Sequence, residues 1–550
     1  MPQFRRKDIW FYISIGIFLL YVLFLIYPLF SLLKNSIIDG DTGAFTLEYF
    51  VRFFSKKYYY GTIFNSIKIT VAVTLLTIAV AAPLAYIMTT VKIRGAAFIR
   101  ILILVSSMSA PFIGAYSWIL LLGRNGSLTR LLNGAFGITL PGIYGFPGIL
   151  LVLTIQFSPL IFMYVSGALK NVDHSLLEAA ESMNCTGVRK VVTVLLPLIM
   201  PTILGGGLLV FMRALADFGT PMLMGEGYRT IPVLIYNEFI SEVGGEDNFA
   251  AAISVLVILF ASSVFLLQKY ITRKKSFTMS ALRPIEAKEE KGLKNVLAHG
   301  FVYLYTLIAM LPQLVVIYTS FQKTNGRLFV EGFSLDSYRT AFGRLGTAIT
   351  NSFFYAGISI LVIAIIAVLI SYVTVRRPNL LTNTIDVFSM FPYIVPGSIL
   401  GIALLVTFNK GPLRIAGTMI IMIVAYTIRR LPYTIRSSSA ILHQVSISVE
   451  EASISLGASP MKTFFKVTVP MMVSGIVSGA VLSLISIITE LSTSVLIYTS
   501  RTKTMSIETY TQVVRGNYGM AAALSTIMTL STVIALLVFF KLSGKKEITM

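Results

Sequence analysis

Stretches of about twenty consecutive apolar residues recur along this chain, and that is the length a helix needs to cross the roughly 30 Å hydrocarbon layer of a bilayer at about 1.5 Å per residue. Twelve such stretches can be read. They lie near residues 9–33, 67–90, 98–122, 148–168, 194–213 and 250–268, then 299–319, 353–375, 385–408, 415–428, 470–488 and 521–541. The one at 415–428 is short and must borrow flanking residues. Composition agrees, since 55% of the 550 residues are hydrophobic and only 13% charged, with a mean hydropathy of +0.81. So few charges cannot cover a water-soluble protein of this size. Lipid offers backbone N–H and C=O groups no partners, and these runs are about twice the length of barrel strands. The sequence therefore predicts an all-α polytopic membrane protein with about 12 transmembrane helices.

Orientation follows from Lys and Arg, which are retained on the cytoplasmic side. With Arg5, Arg6 and Lys7 inside, most of the 45 basic residues fall in inside segments and most of the 24 acids do not, which predicts cytoplasmic amino and carboxyl termini. The +21 net charge is then a property of topology rather than a nucleic-acid surface. The first apolar run exceeds the length of a signal-peptide core, and Tyr27-Pro28-Leu29 offers no small-residue cleavage site, so it is expected to act as a membrane anchor. A single cysteine, Cys185, excludes an internal disulfide framework.

The chain also repeats itself. Phe45-Thr46-Leu47-Glu48 follows the first span and Phe333-Ser334-Leu335-Asp336 the seventh; Asn65-Ser66 and Asn351-Ser352 each lead into a span. Glu178-Ala179-Ala180 runs on to Pro197 and Glu451-Ala452-Ser453 to Pro470, the two segments lying 273 residues apart. These features divide the chain into a first six-helix repeat (1–268), a basic linker (269–298) and a second six-helix repeat (299–550). Six spans return the chain to its starting side, so the repeats are parallel, which places a shared pathway between them.

The segments at 178–197 and 451–470 carry the most specific pattern. Each begins with a short helix-forming stretch with acids near its start, where they complement the helix dipole. Gly457 sits where such a helix ends, because glycine takes up the left-handed conformation of that position without steric cost; Asn184, the usual non-glycine substitute, stands there in the first copy. A second, basic helix then leads to Pro197 or Pro470, where the next span is expected to begin. Helix, turn and helix should lie on the cytoplasmic surface.

Here the sequence resembles the permease subunits of type I ABC importers, whose signature runs Glu-Ala-Ala, a Leu-Gly pair and a Pro. The duplicated, fused form looks like the ferric-iron permeases, with polyamine, sulfate, thiamine and phosphonate permeases as relatives. The resemblance implies that Glu178, Ala179, Ala180, Asn184, Gly187, Glu451, Ala452, Ser453 and Gly457 couple the chain to two copies of a separate ABC ATPase subunit. It also implies an extracytoplasmic substrate-binding protein as partner, location in the cell membrane and no cofactor on this chain.

Residues that could meet the substrate are sparser. Arg213 and Asp217 are four apart, which on a continuous helix puts them on one face; Glu490 occupies the position of Asp217 in the second copy. Ionisable residues inside a membrane are costly to bury unpaired, so all three are candidates for the pathway, alongside an ordinary structural pairing. Proline and glycine interrupt the spans at Ser109-Ala110-Pro111-Phe112-Ile113-Gly114 and at Phe391-Pro392-Tyr393-Ile394-Val395-Pro396-Gly397, and such breaks suit helices that line a cavity or act as gates. Tyr58-Tyr59-Tyr60 reads as a membrane-interface anchor.

The chemistry of catalysis is absent from the sequence. There is no Gly-x-x-x-x-Gly-Lys-Ser/Thr phosphate loop, so ATP hydrolysis is expected on a partner, and no His-Glu-x-x-His or Gly-x-Ser-x-Gly. His174, His299 and His443 have no metal-ligand spacing. A gradient-driven secondary transporter is the alternative class, but it would need acids or histidines near the bilayer centre to carry its ion.

Overall fold

The computed structural model describes residues 9–40, 42–107, 111–138, 142–240, 247–274, 283–410 and 412–543. In chain order its main helices are α1 (Ile9–Ile37), α2 (Lys57–Thr90), α3 (Ala96–Ser106), α4 (Pro111–Leu122), α5 (Phe146–Lys170), α6 (His174–Ser182), α7 (Gly187–Leu215) and α8 (Asp247–Lys274). The second half continues with α9 (Leu293–Ser320), α10 (Asp336–Arg376), α11 (Leu380–Ile394), α12 (Gly397–Asn409), α13 (Met419–Gln444), α14 (Ile447–Ser455), α15 (Pro460–Ile488) and α16 (Tyr518–Ser543). An antiparallel hairpin, β1 (Gln322–Asn325) with β2 (Leu328–Phe333), joins α9 to α10.

Among the described residues nine of these helices are long and apolar enough to cross a membrane, or ten if α11 and α12 count as one span. The expected twelve are not reached on that measure, and the reasons are local. Residues 98–122 form two short helices, α3 and α4, with Ser109 and Ala110 outside the described residues. Residues 385–408 are α11 and α12, with a bend of 111° between them. Pro396 causes that bend, because it has no N–H to donate and its ring excludes a continuing turn. The short run at 415–428 belongs to the 26-residue α13, which carries on past Arg429 and Arg430 to Gln444.

Three five-residue π-helical turns interrupt the spanning helices, at Val22–Ile26, Val191–Leu195 and Phe464–Thr468. Each ends two residues before a proline: Pro28, Pro197 and Pro470. A proline ring clashes with the carbonyl four residues back, here that of Phe24, Thr193 or Lys466, and the wider turn makes room for it. Pro197 and Pro470 therefore begin no new helix: α7 and α15 start ten residues earlier and run through them, so the second short helix expected in each loop is continuous with the helix that follows.

The first helix of each half packs into the other half as well as into its own. One apolar core joins Trp10, Ile17, Tyr21, Leu25 and Leu32 of α1 to the helices of the second half. The other joins Ala298, Val302, Tyr305 and Ala309 of α9 to those of the first. Trp10 lies 4.4 Å from the ring of Tyr372 and 4.9 Å from that of Phe464, so α1 is anchored on the start of α15. Within the second half α13 and α15 approach closely over glycines, as small residues allow between membrane helices. A Cβ on Gly479 would stand 2.4 Å from Thr434 Cα.

Candidate functional site

Two sites emerge, one on the surface and one inside. The surface site is the pair of loops α6–α7 and α14–α15. Asp173 caps α6 by accepting from Ser175 N (2.9 Å), and Ser446 caps α14 by accepting from Ser448 N (3.3 Å). Both helices end in the same left-handed turn. In the first copy Asn184 has φ 58°, with Cys185 N donating to Ala180 O and Asn184 N to Glu181 O, both at 2.9 Å. In the second, Gly457 has φ 89°, with Ala458 N donating to Ser453 O (3.1 Å) and Gly457 N to Ile454 O (2.9 Å). These paired bonds satisfy carbonyls that a helix end leaves open.

Of the residues singled out in these loops, Glu178, Ala179, Asn184, Gly187, Glu451, Ala452 and Gly457 are exposed. Ala180 is buried, and Ser453 is half-buried with its Oγ 3.0 Å from Thr463 Oγ1. Each turn also presents a bare apolar side chain that sequence reasoning passed over, Met183 at 77% exposure and Leu456 at 89%.

The roots of the loops differ. In the second copy Glu450 is buried and paired with Arg376 (Nε to Oε1, 2.9 Å), which also donates to Val445 O at 2.7 Å and so ties the loop to the end of α10. Leu177 stands at the equivalent position of the first copy. There the linker does the fastening: His174 N donates to Arg283 O (2.8 Å), Lys288 N to Thr90 O and Lys92 N to Lys288 O (both 2.9 Å). On the surface of that loop Lys190 pairs with Glu181 and holds its carboxyl below the usual carboxylate range.

The interior site gathers most of the expected pathway residues. The helix ends after α7 and after α15, and in each half an acid caps the amide three residues on: Asp217 Oδ1 accepts from Thr220 N (3.0 Å), Glu490 Oε1 from Thr493 N (3.1 Å). Asp217 is thus not paired with Arg213 on a helix face, as their spacing predicts, because α7 stops between them at Leu215. Glu490 carries a further load. Arg429 Nη1 reaches its Oε1 at 3.0 Å, and Arg430 Nη2 bonds Oε2.

These two arginines lie ten and eleven residues into α13, about 15 Å from its start. They went unrecognised because they end an apolar run, where a hydropathy reading closes the span. Gly397, at the bend, is what admits Arg429: a Cβ there would lie 1.3 Å from Nη1. Pro392 is buried within α11, and Pro396 precedes the first residue of α12. Arg213 of the first half donates to Tyr433 Oη of α13 at 3.4 Å, and the Tyr393 ring of α11 lies 5.2 Å from that of Tyr433. Bend, arginines and Glu490 therefore form one cluster, joined to the first half through Arg213; Asp217 stands apart from it.

The model of the family described as "Binding-protein-dependent transport system inner membrane component" matches this chain twice, over residues 80–277 and 360–545. The chain belongs to this family. The two matches restate the duplication, and each contains one loop and one capping acid. The chain is 28% identical over 544 residues to the ferric transport system permease protein FbpB of Actinobacillus pleuropneumoniae, covering 96% of this chain and 77% of that one. It is also 28% identical to the putative ferric transport system permease protein FbpB 1 of Haemophilus influenzae, over 88% and 78% of the two chains. A putative 2-aminoethylphosphonate transport system permease protein, PhnU of Salmonella typhimurium, is 24% identical over 44% of this chain and 84% of its own. This chain is accordingly a multi-pass inner-membrane translocation component of the ABC importer permease family.

Proposed function

We propose that this chain is the complete pore of a ferric-iron importer driven by two separate ABC ATPase subunits. The observation that carries the reading is the pair of surface loops 273 residues apart, with the same capped helix, the same left-handed turn and the same exposed apolar side chain. Each ATPase would seat one loop, with Glu178, Ala179 and Met183 or Glu451, Ala452 and Leu456 in the contact. Closure of the ATPases on ATP draws the cytoplasmic loops together. Because α7 and α15, each through one π-helical turn, run from the loops to within two residues of the capping acids, that movement is carried into the membrane interior. An extracytoplasmic binding protein would deliver the substrate to the opposite face, and both termini lie in the cytoplasm. Iron as cargo rests on the likeness to ferric permeases over nearly the whole chain.

The test is uptake of ⁵⁵Fe by cells carrying the transporter. Glu451→Lys and Gly457→Pro are each expected to abolish uptake while leaving the chain inserted in the membrane. Wild-type uptake by both variants refutes docking at the second loop, and ATP-independent uptake by the purified chain refutes the class. A phosphonate as cargo is the second reading, favoured by the arginines of the interior cluster, and competition for uptake by 2-aminoethylphosphonate separates the two.

A further inference from the structure

The interior cluster holds more positive charge than its own acids neutralise. Glu490 is buried and gives one carboxylate oxygen to each of Arg429 and Arg430, which leaves one positive charge over. Arg213 adds a second. Its guanidinium donates to the phenol oxygen of Tyr433 and pairs with no carboxylate among the described residues. The other acids do not compensate, since Asp386 is paired with Arg436 at 3.4 Å and Asp217, which makes no ion pair with the cluster among the described residues, stands apart from it at the Thr220 amide. Arg430 Nε is buried with no acceptor among the described residues.

Guanidiniums at membrane depth persist where they face a water-filled path or a counter-ion, because burial without either is costly. The position of this group matches a path. Arg213 is exposed and comes from the first half, Tyr393, Arg430 and Tyr433 come from the second, and a parallel repeat puts its shared pathway on that joint. Tyr164, also of the first half, lies within electrostatic range of Arg213. Planar N–H forks flanked by phenol donors match the oxygens of an oxyanion, not a bare cation.

We propose that Arg213, Arg430, Tyr393 and Tyr433 form an oxyanion-recognition site on the translocation path, so that the cargo crosses as an oxyanion complex. This rests on the ferric reading above. A bare trivalent ion entering the joint meets two uncompensated guanidiniums. The same ion carrying a phosphate-type ligand presents oxygens to them, and a hard trivalent cation binds such oxygens readily. The anion here is a ligand of the metal and nothing is oxidised or reduced.

The test uses the chain co-purified with its ATPase and binding-protein partners, reconstituted in proteoliposomes in bicarbonate-free buffer. ⁵⁵Fe³⁺ and ³²P-phosphate are supplied together, with ATP inside, and uptake is normalised to assembled complex. The expected result is ATP-dependent entry of both labels in a constant ratio, at least tenfold lower for both in Arg213→Gln and partly restored in Arg213→Lys. Entry of ⁵⁵Fe without ³²P, or wild-type uptake by Arg213→Gln, overturns the oxyanion site and leaves iron import standing. Entry of ³²P without ⁵⁵Fe keeps the site and overturns the ferric reading; entry of neither overturns both.

Discussion

The two halves of this chain agree at the surface and part company inside. Their loops share the capped helix, the left-handed turn and the π-helical turn before a proline, position for position. In the interior, Asp217 and Glu490 cap equivalent amides, but only Glu490 is gripped by two arginines, whose counterparts in the first half are Gln156 and Phe157. A part that meets identical partners has to stay duplicated. A part that lines one shared pathway has no such constraint, because a single substrate meets both halves at once. On the proposed reading of two ATPase subunits and one shared pathway, the difference teaches that symmetry follows the partner, not the fold.

The largest effect that could break this comparison is expected at the acids. Glu490→Ala strands two guanidiniums in the membrane interior and should cost about 3–5 kcal/mol, the range for removing one partner of a buried ion pair. Asp217→Ala loses a cap alone and should cost about 1 kcal/mol. Thermal unfolding in detergent compares them, and equal losses would mean that the arginines add nothing to Glu490.

Helix packing should show the same bias at smaller amplitude. Gly479→Ala drives a methyl into the backbone of Thr434, with an overpacking cost of about 1–3 kcal/mol. Gly206, its equivalent, faces the tip of Ile161 at 3.1 Å and Tyr164 at an ordinary 3.5 Å, with no backbone in the way, so Gly206→Ala should cost less than half as much in the same assay.

At the loop turns the effect is smaller and depends on which residue is replaced. Gly457→Ala places a Cβ in a left-handed turn at a cost of about 1–2 kcal/mol, whereas Asn184→Gly should cost nothing. Hydrogen exchange at the amides of Ala458 and Cys185 reads this locally, with faster exchange at Ala458 alone. Smallest of all is the Lys190–Glu181 pair. The folded-state pKa of Glu181 is depressed, so any stability it lends is complete at neutral pH and fades only as pH falls through that lowered value. Glu181→Gln should leave unfolding at pH 7 unchanged, and a clear shift there would show the pair to be more than a surface contact.

Much of this was legible in the sequence. Duplication, all-helical class and both loops follow from apolar run length and from residues at fixed spacing, and Asn184 declares its left-handed turn because few other side chains accept one. What could not be read shares one cause, that contacts between distant segments leave no local period. Arg376 and Glu450 are 74 residues apart in sequence, and the linker's bonds to Thr90 and His174 join backbone groups that carry no side-chain signature. Arg429 and Arg430 escaped notice for a different reason, since a charged pair normally marks the end of a span. Glu490, two residues past the end of α15, pairs with both where α13 continues.

The central claim is that one chain carries both halves of a complete, unequal pathway. Native mass spectrometry of the transporter purified with its ATPase tests it most directly. One copy of this chain with two ATPase subunits is the predicted assembly; two copies of this chain around a single pair of ATPase subunits would contradict it.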